Sequence, residues 1–311
     1  MKYTLLLGFS ICCLETIGEI HQDTIYSFSM NNDVRITIDA PGNLHANKVI
    51  LILYALPNGN TTEQTMGKKM EAGDDWHFDI QHIRAQTKFI RNKLRNTAIV
   101  VAYLENTYKS WPLWTSKHRD YASAVQHIVD TLYGLIPSRK KVLYLDSHSG
   151  GGRFIFCYLD GVSVIPSYVK RISFLDSDYG YDSTYLPKIK GWLQRHRNHY
   201  LTVFAYNDSV ALYKGKSFVS ATGGTWYRSH CMLTQLSVYF TLDKVRDDSL
   251  IVFKSQDKHI QFYFKTNPER IIFHTTQVER NGFIHSILAG TKYDSNGYRY
   301  FGARAYNDLI E

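Results

Sequence analysis

The sequence predicts an α/β protein: a mostly parallel central sheet with helices on both faces, a three-layer sandwich. Three observations carry that expectation. Apolar runs of strand length alternate along the chain with segments of helical periodicity. Two runs, 49–56 and 98–104, are apolar almost without interruption, as strands buried on both faces must be. Several runs end in clusters of Gly, Asn, Asp or Ser, at the edge of such a sheet where ligand contacts collect.

The elements follow in order. Thr24 to Met30 and Val34 to Ile38 read as antiparallel strands, the second with period-two alternation, joined by the turn residues Asn31-Asn32-Asp33. The run 49–56 stops at Pro57-Asn58-Gly59-Asn60-Thr61-Thr62, whose last three residues form a glycosylation sequon. Ile80, Ile83, Ile90 and Leu94 mark a helix with basic residues in its last turns, which suits the helix dipole. After the strand 98–104 comes a loop with Trp111 and Trp114, which either line a cleft or form a flap on the core. Asp120 caps a helix whose apolar face runs from Tyr121 to Leu135. Strands at 171–175 and 201–206 are separated by a helix at 186–195, and 224–240 reads as helical. Residues 250–253 and 259–264 read as an excursion of short strands, Ile271-Ile272-Phe273-His274 as the last core strand, and 282–286 as the loop after it. No repeat, low-complexity segment or linker divides the chain, so residues 19–311 are expected to form one domain.

Composition narrows the class. The 311 residues are 44% hydrophobic and 21% charged, an ordinary globular balance. The net charge of +8 favours anionic partners. Lys and Arg are scattered and no nucleic-acid motif is present, so nucleic acid is not expected as a partner. The 23 Tyr and 5 Trp suit a sugar-binding cleft, although Tyr-rich sheet edges leave the same trace. Residues 1–18, with Lys2 followed by the apolar run Tyr3 to Leu14, read as a signal peptide cleaved after Gly18. The expected location is secreted or periplasmic, through Gram-negative-type export. No other stretch is apolar enough to span a bilayer, so no stable membrane insertion is expected. Cys157 and Cys231 remain after cleavage and permit one disulfide. Neither CxxC nor HExxH occurs, and no metal or organic cofactor is expected.

The chemistry-bearing stretch is Lys141-Val142-Leu143-Tyr144-Leu145-Asp146-Ser147-His148-Ser149-Gly150-Gly151-Gly152. A β-prone run ends in a small-x-Ser-x-small pattern and passes into a helix. This is the form of a nucleophile elbow, whose residues two before and two after the nucleophile must be small because the turn brings them together. Ser147 and Gly151 fill those places and Ser149 the tip. The Gly150 N–H, at the helix start, and an N–H from the Asn58 loop are the expected oxyanion donors. A serine hydroxyl needs a base within hydrogen-bond reach, imidazole titrates near neutral pH, and a carboxylate fixes the imidazole tautomer. Asp208 follows the strand 201–206 and His285 follows the expected last strand, giving the chain order Ser, acid, His. Asp176 and Asp178, after the preceding strand, are the alternative acids.

On this elbow, the strand order, Asp208 and His285, the chain resembles the α/β-hydrolase superfamily in its secreted serine esterase branch, over roughly residues 48–290. The block Ala55-Leu56-Pro57-Asn58-Gly59-Asn60 is similar to that of exported hydrolases of polysaccharide degraders, carbohydrate esterases and pectin methylesterase-like enzymes among them. Ser147, where the superfamily usually has Gly, is the departure. The resemblance implies a Ser–His–Asp esterase with an acyl-enzyme intermediate. With the basic charge and aromatic loops, the expected substrate is a methylated or acetylated acidic polysaccharide. An amidase or peptidase acting on cell-wall peptides uses the same triad, and a non-catalytic binding protein can keep the same fold.

Overall fold

The computed structural model describes residues 23–31, 33–42, 44 and 46–311. The signal-peptide expectation falls on residues outside the described ones.

The sheet is built from the apolar runs. Strands β1 (Thr24–Met30), β2 (Val34–Ala40), β3 (Lys48–Ala55), β4 (Thr97–Asn106), β5 (Lys141–His148), β6 (Val169–Leu175) and β7 (Tyr200–Tyr206) occupy the expected places. A short hairpin follows, β8 (Leu212–Tyr213) and β9 (Lys216–Ser217), then β10 (Leu242–Asp247), β11 (Leu250–Ser255) and β12 (Ile260–Lys265). The main sheet has the order β1-β2-β4-β3-β5-β6-β7-β12-β11-β10. β4, β3, β5, β6, β7 and β12 run parallel, and antiparallel strands close both edges.

The period-two rule then sorts side chains to the two faces. In β3, Val49, Leu51, Leu53 and Ala55 join one core while Ile50, Ile52 and Tyr54, with Leu56 just past the strand, join the other. Between the first strands lie α1 (Thr62–Met66) and α2 (Ile83–Lys93). Next come α3 (Trp111–Lys117), α4 (Tyr121–Leu135) and α5 (Gly152–Gly161). The remaining helices are α6 (Leu186–Arg195), α7 (Thr225–Ser237), α8 (Thr276–Glu279) and α9 (Gly282–Leu288). Helices α3 to α7 pack on the first face; α2, α8, α9 and the Tyr-rich tail pack on the second. The architecture is the expected α/β one, a mostly parallel sheet with helices on both faces, and Ser149 lies just past the end of the central strand β5.

Three expectations change here. Ile271 to His274 is not a strand; Ile271 and Ile272 are 49% and 41% exposed. The last core strand is β12, which the sequence presents as part of an excursion. Residues 282–288 form not a loop but the buried helix α9. Its carbonyls at Ser286 and Ala289 accept from the buried Arg171 guanidinium, at 3.0 and 2.8 Å, which pins the helix end beneath β6.

Trp111 and Trp114 are 1% and 0% exposed, so they cover the core rather than a cleft. Trp111 meets Phe154 edge to face with centroids 4.7 Å apart, anchoring the first turn of α5. The tail tyrosines Tyr298, Tyr300 and Tyr306 are buried as well. Cys157 and Cys231 are both free thiols. Among the described residues no helix is long and apolar enough to cross a membrane.

Candidate active site

β5 delivers the chain to Ser149, and the strand ends there because the backbone reverses its hand. Ser149 has φ 55°, a left-handed conformation that L residues with a side chain rarely hold. It costs about 1–3 kcal/mol and persists where the surroundings over-determine it. One turn of 3₁₀ helix, Ser149–Gly151, leads into α5. The turn is tight enough that a Cβ on Gly151 would lie 2.1 Å from the Ala55 carbonyl oxygen. Ser147 fits where glycine is usual. It is fully buried, and its hydroxyl and carbonyl meet the Ser177 hydroxyl at 2.9 and 3.2 Å. A small polar side chain is accommodated because the loop after β6 supplies a hydroxyl for it.

The Asn58 loop reaches the elbow as expected. A Cβ on Gly150 would lie 2.0 Å from the Asn58 side-chain oxygen, so the amide lies directly against the Gly150 α-carbon. Asn58, Ser149 and Gly150 line one cavity of about 470 Å³ with Ser177, Tyr179 and Arg153. Gly150 lies in the first turn of the helical segment, where N–H groups have no carbonyl one turn earlier to bond.

The histidine beside the elbow is His274. Its ring stacks on His148, the residue before Ser149, with centroids 4.6 Å apart. His148 Nε2 donates to the His274 carbonyl at 3.1 Å. His148 is buried, and that burial, followed by the neighbouring His274, pushes its pKa well below the usual imidazole value. It is therefore a neutral platform. His274 Nδ1 donates to Asp176 Oδ2. This bond fixes the tautomer, leaving Nε2 as the basic nitrogen on a side chain 24% exposed. Asn267 shapes the loop that carries His274: its amide nitrogen donates to the Asn207 and Ile271 carbonyls at 3.0 and 2.8 Å.

The carboxylates divide the work in an order the sequence left open. Asp176, one of the two alternative acids, sits at the end of β6 in a second left-handed conformation, φ 48°. It is fully buried; one oxygen takes His274 and the other takes the Thr225 hydroxyl. Among the described residues, Asp208, the favoured acid, pairs with no histidine. Its Oδ2 accepts from the Thr225 N–H at 2.8 Å and so caps α7. Burial, with Asp176 adding to it, pushes its pKa up to about 6. Asp178, the other alternative, accepts from the Ser229 hydroxyl at 2.8 Å, and burial pushes it far above the carboxylate range.

His285 is a correction too. It lies inside α9, 3% exposed, with Nδ1 3.0 Å from the Tyr298 hydroxyl and its ring against Tyr263, Tyr300 and Phe204. Phe204 pairs with Leu175, and Leu175 with His148. At about 4.8 Å per strand, that is about 10 Å sideways from the elbow strand, on the second core face. Burial lowers the His285 pKa to about 4. His274 escaped the sequence reading because three apolar residues before it imitate a strand. The signal that finds it is β12: His274 lies on the loop after the true last parallel strand.

No protein-family model and no curated protein matches the chain. Solved structures do match. A predicted CIB-like hydrolase from Thermoplasma acidophilum is 8% identical, with 85% of this chain and 94% of that one covered and a TM-score of 0.42. Poly(aspartic acid) hydrolase-1 from Sphingomonas sp. KT-1 is 12% identical, with 84% and 95% covered and a TM-score of 0.42. A glucuronoyl esterase from Solibacter usitatus is 8% identical, with 85% and 82% covered and a TM-score of 0.40.

Proposed function

We propose that this protein is an exported serine esterase in which Ser149 attacks, His274 accepts its proton and Asp176 orients the imidazole. The observation that carries the reading is the left-handed Ser149 at the cavity wall, directly after His148, on whose ring stacks a His274 with its Nδ1 already committed to a buried carboxylate. In that tautomer Nε2 can take the hydroxyl proton as the Ser149 oxygen adds to the ester carbonyl. The Gly150 N–H and the Asn58 loop are the donors for the oxyanion. The alkoxide leaves with the proton from His274, and water then releases the acid from Ser149 by the same relay.

The substrate class that fits the chain's charge is an ester-substituted acidic carbohydrate, such as a methylated or acetylated uronide polymer. The experiment is a substrate panel of small chromogenic esters, methylated and acetylated pectin, and a cell-wall peptide, run with the wild type and Ser149→Ala. Ester cleavage lost in the variant supports the reading. Undiminished ester cleavage by Ser149→Ala, or turnover of the peptide alone, overturns it.

A further inference from the structure

Arg153 stands one helical turn beyond Ser149, in α5, and lines the same cavity together with Asn58, Pro112 and Tyr179. Its guanidinium lies 5.3 Å from the Tyr121 ring centroid, a cation–π seat on the face of the ring, with the Cys157 thiol beside it. Asp160 acts on it through space, but that carboxylate accepts from the Tyr121 hydroxyl at 3.2 Å. Among the described residues, Arg153 has no carboxylate within ion-pair distance. Two other half-buried arginines do have one: Arg91 meets Asp39 at 2.8 Å and Arg304 meets Glu279 at 2.8 Å. Arg153 thus presents a rigid fork of N–H donors, held by an aromatic ring, at the wall of the cavity that contains the nucleophile.

We propose, on the basis of the Ser149 reading, that Arg153 is the specificity-determining residue of this cavity and takes a carboxylate carried by the substrate. Four residues of helix separate the two Cα atoms by about 6 Å, and the arginine side chain spans a similar length. The carboxylate therefore belongs about three to five bonds from the carbonyl under attack. A bidentate, charge-assisted pair in a partly desolvated cavity discriminates an anionic ester from its neutral counterpart by about 10- to 100-fold. The +8 chain adds long-range attraction for the same anions.

The test compares two probes, a neutral pentyl fluorophosphonate and its ω-carboxybutyl counterpart, by their second-order rates of labelling Ser149. The wild type is expected to react faster with the carboxylated probe. In Arg153→Gln the ratio of the two rates should fall about 10- to 100-fold. In Arg153→Lys, which keeps the charge but loses the fork, it should take an intermediate value. Ser149 labelled with a ratio indifferent to both substitutions would overturn the role of Arg153 and leave the hydrolase reading standing. Absence of label at Ser149 with either probe would instead remove that reading, and this proposal with it.

Discussion

Asp176→Asn separates the two candidate acids most sharply. In the wild type, Asp176 takes the Thr225 hydroxyl on one oxygen and the His274 Nδ1–H on the other. The asparagine keeps one oxygen, which Thr225 holds, and turns its NH₂ toward Nδ1. Two donors cannot face each other, so the imidazole proton moves to Nε2, the nitrogen that receives the Ser149 proton in the proposed mechanism. The same Asp-to-Asn swap in a serine-protease triad lowers kcat by about 10⁴-fold, which corresponds to about 5 kcal/mol of barrier, and a loss of that order is expected here. Asp208→Asn perturbs a different contact: one oxygen accepts the Thr225 N–H at 2.8 Å, and asparagine is a comparable cap. Its expected loss is less than about tenfold. The assay is steady-state hydrolysis of 4-nitrophenyl acetate, with circular dichroism to confirm that both variants fold. A larger loss for Asp208→Asn than for Asp176→Asn would refute the assignment.

Two further outcomes concern stability. Burial pushes the Asp146 carboxyl up to about 8, against the Ser286 hydroxyl it accepts from, so the fold holds a proton that the unfolded chain, with an ordinary carboxylate at about 3.9, has already released. Its contribution is full below about pH 4 and is lost as the pH rises through about 8; thermal midpoints should fall from about pH 5 to about pH 9, and Asp146→Asn should flatten that fall. Equal slopes in the two proteins would count against a buried neutral carboxyl. Gly151→Ala places a methyl 2.1 Å from the Ala55 carbonyl and should cost about 1–3 kcal/mol, read as a lower urea midpoint; an unchanged midpoint would mean the elbow is looser than its geometry.

The sheet was legible because its strands are buried on both faces and carry little besides apolar residues, as in β3 and β4. The elbow was legible because close approach demands small residues, and Gly151 against Ala55 shows that demand. The histidine beside the elbow was hidden by a local coincidence. Ile271-Ile272-Phe273 has strand composition, yet the two isoleucines are half exposed on a loop tied down by Asn267. Displacing the last strand by one segment moved the expected histidine from His274 to His285. The choice among Asp176, Asp178 and Asp208 rests on which carboxylate faces the imidazole. Loop order cannot specify that, since Thr225 brings Asp176 and Asp208 to a single hydroxyl and N–H. The role of the two tryptophans was likewise set by packing, Trp111 against Phe154 and Trp114 against Trp111, rather than by composition.

The proposed pairing of Ser149 with His274 is tested most directly by the rate at which a fluorophosphonate labels the Ser149 peptide in the wild type and in folded His274→Gln. The geometry predicts a single adduct on Ser149 and a rate at least about a thousandfold slower in the variant. Labelling of His274→Gln at the wild-type rate, or an adduct on another residue, would contradict it.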